Sequence, residues 1–118
     1  MQRTLLKSKL HRATVTQADM HYEGSISIDS ALLKKADILP YEKVDIYNIS
    51  NGNRFSTYAI IGDPGEIGLN GAAARMVQVG DLVIIANYAS YSETECMGHK
   101  ALKLILNSKN EIEQILHD

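Results

Sequence analysis

"KVDIYNISNGNRFSTYAII", Lys43 to Ile61, is the stretch on which the fold turns. Two runs suited to strands flank Asn51-Gly52, the dipeptide that best tolerates the positive φ angles of a tight turn, so the segment reads as a β-hairpin. Period-two alternation in the second arm puts Arg54, Ser56 and Tyr58 on one face and Phe55, Thr57 and Ala59 on the other. Arg54 and Tyr58 are then roughly 13 Å apart along the strand at about 3.3 Å per residue, so only a long, inclined arginine side chain brings both to one small ligand. A half-exposed strand with a solvated arginine and a packed tyrosine fits the same pattern.

Working outward, most of the remaining segments also have strand character. Arg3 to Lys7 and His11 to Thr16 mix β-branched and polar residues, and Ser25 to Ile28 alternates serine with isoleucine, a pattern with one buried face. Asp29 stands where an N-cap belongs, ahead of a short helix over Ser30 to Ala36 that stops before Pro40. Asn70-Gly71 precedes a helical turn at Ala72 to Arg75, and Gly80-Asp81 turns into the apolar strand Leu82 to Ala86. A last pair, Ala101 to Leu106 and Glu111 to Leu116, is joined by Asn107 to Asn110, with the second arm readable as strand or short helix. Many short strands and little helix imply a mainly β chain, closed or nearly closed into a small barrel because closure removes exposed edges.

The bulk numbers bound the class. With 118 residues, 45% hydrophobic and only two prolines, the chain is expected to form one domain over residues 1–118 with no visible linker. Twelve Lys and Arg against fourteen Asp and Glu give a formal charge of -2, which offers no field for a phosphate backbone, so no nucleic-acid partner is expected. The single cysteine, Cys96, can form no internal disulfide and has no companions at metal-ligand spacing, so no metal is expected. No segment has the apolar length of a signal peptide core or a membrane span, which leads to the expectation of a cytoplasmic protein without a membrane partner.

Two further stretches could carry chemistry. In "HYEGS", His21 to Ser25, a glycine directly precedes a serine beside groups able to move protons. In "LNGAAARM", Leu69 to Met76, Gly71 and three alanines leave backbone N–H groups unobstructed at a helix start, where a carboxylate is well received; close packing is the plainer explanation, and no Walker or GxGxxG pattern accompanies it.

Taken together, Lys9-Leu10-His11-Arg12, His21-Tyr22-Glu23-Gly24-Ser25, Asn51-Gly52 with Arg54 to Ala59, Asn70-Gly71-Ala72-Ala73-Ala74 and Gly80-Asp81 resemble the pyruvoyl-dependent aspartate 1-decarboxylases over nearly the whole chain. The resemblance implies a double-psi β-barrel, a homotetramer with active sites between neighbouring subunits, and no external cofactor. It also implies a precursor that cuts itself between Gly24 and Ser25, unaided or with a maturation factor, into residues 1–24 and 25–118. In that chemistry the Ser25 hydroxyl attacks the Gly24 carbonyl, and elimination and hydrolysis leave Ser25 as a pyruvoyl group. Thr57 would polarise the Gly24 carbonyl and touch substrate. Arg54 would grip a carboxylate of L-aspartate, Tyr58 would return a proton after CO2 leaves, and the backbone of Gly71, Ala72 and Ala73 would complete the pocket. Lys9 and His11 are second contacts on this reading or an exposed basic strand end on another; His21 and Tyr22 are no better determined. Alternation sets Thr57 against Arg54 and Tyr58, so either the strand is bulged there or its two faces meet different parts of one site. The rivals are an uncleaved, noncatalytic barrel module, a nucleic-acid-binding barrel, and an enzyme for another small amino acid.

Overall fold

The computed structural model describes all 118 residues, Met1 to Asp118. Strand β1 (Gln2–Thr14) runs antiparallel to β7 (Leu82–Ser92). The chain leaves β1 through Val15, whose N–H donates to Asp81 O (2.9 Å), and Thr16, whose N–H donates to Ile67 O (2.8 Å). It then enters β2 (Gln17–Asp19), which lies parallel to β6 (Ile67–Asn70). Because β6 pairs with β3 (Ser25–Asp29), β3 with β5 (Arg54–Gly62), β5 with β4 (Lys43–Asn48) and β4 with β7, the continuity from β1 into β2 closes the sheet on itself. The result is the small, mainly β double-psi barrel that the resemblance implies, with parallel pairs β2/β6 and β3/β5 set among antiparallel ones. A hairpin of β8 (Leu102–Leu106) and β9 (Ile112–His117) is added beside β1, so the second arm of the C-terminal pair is a strand.

The interior is a single cluster of 19 buried apolar residues, with Leu10, Ile26, Ile28, Ile46, Ile67, Leu69 and Ile85 at no measurable exposure. The short helix α1 (Ser30–Ala36) covers one side with Leu32, Leu33 and Ala36. Asp29 caps it through a bond from Ala31 N–H (2.8 Å), and Asp37 in the left-handed region (φ 57°) ends it with Ile38 N–H returning to Leu33 O (2.9 Å).

Three readings of local sequence change. The two short N-terminal strands are one, because register shifts between Leu6 and Ser8 and between Leu10 and Ala13 absorb the break in alternation; Arg12 takes φ 64° at the second. Ser25 to Ile28 is buried on both faces rather than one, since β3 lies between β5 and β6. The Asn51-Gly52 turn is a five-residue loop rather than a two-residue one, and only Gly52 has positive φ (81°). Its asparagines act through their side chains: Nδ2 of Asn48, Asn51 and Asn53 converge on Met76 O at 3.3, 3.2 and 3.1 Å. They tie the loop to the end of the 3-10 helix Gly71–Met76, the helical turn expected after Asn70-Gly71.

Asn110 fastens the added hairpin to the barrel. It is buried with φ 60°, its Oδ1 accepts from Thr14 N–H (2.7 Å), and its Nδ2 donates to Thr14 O (3.0 Å) and Gly65 O (2.9 Å). Asn110→Ala is expected to cost about 2–4 kcal/mol in urea unfolding, from the stranded backbone groups and the left-handed strain. Asn110→Gly keeps the backbone conformation and should cost less; equal losses would assign the effect to the side chain alone.

Candidate active site

Gly24 and Ser25 lie where the chain turns from β2 into β3. The turn is exposed at Gly24 and closed at Ser25, which is 1% exposed and opens β3 opposite Asn70 of β6. That pairing puts the Asn70 amide within reach of two hydroxyls: Nδ2 donates to Ser25 Oγ (2.9 Å) and to Ser27 Oγ (3.0 Å). The Ser25 hydroxyl in turn donates to Glu23 O (3.2 Å). A buried serine held from both sides has one orientation.

Gly71 explains how the chain reaches this turn. A Cβ at Gly71 would stand 2.6 Å from Gly24 Cα, 2.7 Å from Gly24 N and 3.0 Å from Tyr22 O, and φ is +64°. Only a glycine allows the two backbones to touch, and only a glycine adopts that φ without strain. By contrast a Cβ at Gly24 would meet nothing nearer than Asn70 O at 4.0 Å, so the space beside its Cα is open. An open cleft of about 310 Å³ lies there, walled by Gly24, Phe55, Ser56, Thr57, Ala72, Ala73 and Met76.

Arg54 and Tyr58 are elsewhere. β4 and β5 pair without a register shift from Lys43 opposite Tyr58 to Tyr47 opposite Arg54, so there is no bulge and strict alternation holds. Thr57 therefore belongs to the Gly24 cleft, while the Arg54 guanidinium carbon lies 4.0 Å from the centre of the Tyr47 ring and the Tyr58 ring lies 6.1 Å from that of Tyr41. Near Arg54 a second cleft of about 470 Å³ is walled by Thr4, Lys43, Asp45, Tyr47, Ala86 and Tyr88. Tyr47 Oη is 2.8 Å from Tyr88 Oη, and burial, reinforced by that hydrogen bond, pushes the Tyr47 phenol up to about 12. It stays protonated at neutral pH.

Lys9 and His11, on β1, line neither cleft. Lys9 is paired with Ala86 of the second cleft's wall. His11 stands beside the Arg12 bulge with Nδ1 buried and unpartnered; burial first, then Lys9 and Arg12, lower its pKa and favour the neutral imidazole. His21 is exposed, its N–H bonded to Asp19 Oδ1 (3.0 Å), and Tyr22 touches the site through its backbone carbonyl against Gly71. Sequence reasoning took Asn70 for a turn former and passed over Tyr47 and Tyr88, since each is placed by a cross-strand partner.

The class so defined is a small closed barrel with an open cleft beside Gly24, next to the buried Ser25. The chain belongs to the aspartate decarboxylase family, whose model matches residues 1–113. It is 58% identical over 115 residues to the aspartate 1-decarboxylase of Syntrophus aciditrophicus, covering 96% of this chain and 99% of that protein. It is 56% identical over 112 residues to the aspartate 1-decarboxylase of Syntrophobacter fumaroxidans, covering 93% and 90%. The aspartate 1-decarboxylase of Hydrogenobaculum is 52% identical over 118 residues, covering 100% and 94%.

Gly71→Ala tests the seat of Gly24. The added methyl must displace the Gly24 backbone, so the unfolding free energy should fall by about 1–3 kcal/mol and the Gly24 amide resonance should shift. An unmoved Gly24 resonance would mean that the contact is not a constraint.

Proposed function

We propose that this chain converts L-aspartate to β-alanine and CO2, supplying pantothenate and coenzyme A synthesis, after cutting itself between Gly24 and Ser25 into residues 1–24 and 25–118. The observation that carries the reading is the Gly24-Ser25 peptide itself: a buried, doubly held serine hydroxyl adjoins a glycine that lines an open cleft. Those residues fit a pyruvoyl precursor, since attack needs a fixed hydroxyl and a carbonyl without side-chain obstruction.

Self-cleavage begins as the Ser25 oxygen adds to the Gly24 carbonyl carbon and the Ser25 nitrogen departs with the proton, leaving an ester. Thr57, on the same cleft, stabilises the negative charge that develops on the Gly24 oxygen. Elimination frees the Gly24 carboxylate, and hydrolysis releases the Ser25 nitrogen as ammonia. The pyruvoyl group so formed supplies an electron sink for decarboxylation, and no external cofactor is required.

The other residues bind and move protons. Arg54 lies against the Tyr47 ring and has no hydrogen-bonding or ionic partner in the chain, which leaves its N–H fork free for a carboxylate. Tyr58 returns a proton to the carbon that lost CO2, and the Gly71, Ala72 and Ala73 backbone closes the pocket. Lys9 and His11 are further contacts, His11 as a neutral donor or acceptor.

The same proposal includes a homotetramer with shared sites. Arg54 and Tyr58 occupy the face of β5 opposite Thr57 and Gly24, so one copy's Arg54 and Tyr58 would complete a neighbour's cleft. No helix of the chain is long and apolar enough to cross a membrane. The proposed setting is the cytoplasm, with neither nucleic acid nor membrane as partner, and any maturation factor would act on the Gly24-Ser25 turn.

Intact mass under denaturing conditions separates this reading from an uncleaved binding module. The parent chain should give two fragments parting at Gly24 and Ser25, and Ser25→Ala should give one intact, folded chain that makes no β-alanine; turnover by that variant would refute the cofactor. Tyr58→Phe should still cleave while β-alanine formation falls by about 10²-fold or more. Undiminished formation would remove Tyr58 from the proton-donor role.

A further inference from the structure

Arg54 is not fixed by an acid, as surface arginines commonly are, but by an aromatic ring, and that ring is itself held. Tyr47 lies on β4 directly opposite Arg54 and presents its ring at 4.0 Å from the guanidinium carbon. A ring alone permits the guanidinium to slide and the ring to swing about χ1 and χ2. The far end of Tyr47 removes that freedom, because its hydroxyl is 2.8 Å from Tyr88 Oη and 3.5 Å from Asp45 Oδ2. The Asp45 contact is at the outer limit of a hydrogen bond, and Asp45 Oδ1 is already engaged by Ser56 Oγ at 2.6 Å. Tyr88 is therefore the close partner. It reaches Tyr47 from β7, across the wall of the second cleft, 41 residues away in sequence.

We propose that Tyr88 is a positioning residue for substrate binding: through its hydrogen bond to the Tyr47 phenol it fixes the ring on which Arg54 rests, and so aims the guanidinium fork at the substrate carboxylate. The effect is one of preorganisation, since an arginine held against a fixed ring loses less rotamer freedom when it engages a carboxylate. A contact to a ring takes none of the N–H groups that a bidentate clamp needs. Tyr88 itself need not touch substrate. This inference rests on the assignment of Arg54 to a substrate carboxylate.

The test is steady-state kinetics of Tyr88→Phe, Tyr47→Phe, the double variant and Arg54→Gln, each first confirmed by intact mass to have cleaved like the parent. Tyr88→Phe should raise KM for L-aspartate about three- to tenfold, the scale of one lost hydrogen bond, with kcat within about twofold. The two phenol variants share one bond, so the double variant should be no worse than the poorer single one. Tyr47→Leu, which removes the ring, should raise KM toward that of Arg54→Gln. A rise in KM for Arg54→Gln with none for Tyr88→Phe would overturn the role of Tyr88 while sparing that of Arg54. Multiplying effects of the two phenol variants would likewise overturn it. An unchanged KM for Arg54→Gln would overturn the carboxylate assignment and this inference with it.

Discussion

The backbone of Gly24 rests on the backbone of Gly71, and the rest of the candidate site is arranged around that contact. A methyl at Gly71 would stand 2.6 Å from Gly24 Cα, closer than any real Cβ contact. The close approach brings the turn between β2 and β3 against the start of the 3-10 helix. It also lets Asn70, one residue before Gly71, reach into β3 and hold Ser25 and Ser27 together. At the other end of the same helix three asparagine side chains, from the end of β4 and the loop after it, converge on Met76 O. The wall made by Ala72 and Ala73 is thus fixed at both ends, by a glycine seat and by an asparagine clamp. Rigid supports of this kind let a short, small-residue segment hold an open cleft.

β5 divides the chemistry. Its unbroken pairing with β4 sends Thr57 to the Gly24 cleft and Arg54 and Tyr58 to the other side, where aromatic partners rather than acids receive them. Asp45, on the neighbouring strand, accepts from Ser56 (2.6 Å) and forms no ion pair with the guanidinium that a carboxylate is proposed to meet. Tyr47, pushed up to about 12, stays neutral and serves as a ring and a hydrogen-bonding hydroxyl.

Much of this was legible in sequence where a local rule decides. The Asp29 cap, the helix after it, the hairpin about Asn51-Gly52, the strand after Gly80-Asp81 and the glycine-alanine helical turn each follow from residues within a few positions of one another. Gly24, Thr57, Ala72 and Ala73 line one cleft, and the alternation that set Thr57 apart from Arg54 is real. Misread features depend on partners far away. β1 looked like two strands because its bulges answer to β7, some eighty residues on, and Arg12 adopts φ 64° with no glycine to signal it. Asn70 and Asn110 looked like turn formers because their type favours turns, yet Asn70 bonds serines 43 and 45 residues away and Asn110 bonds Thr14 across 96. Tyr88 belonged to no motif, and only the β4/β7 pairing brings it to Tyr47.

The central claim is that the residue at position 25 ends as a ketone that accepts the substrate amine. Incubating the cleaved protein with isotopically labelled L-aspartate and borohydride, followed by digestion and mass spectrometry, tests it most directly. The account requires one label per chain, fixed to the peptide that begins at position 25, with activity lost in step. Label at a lysine, or continued β-alanine formation with no label at position 25, would contradict it.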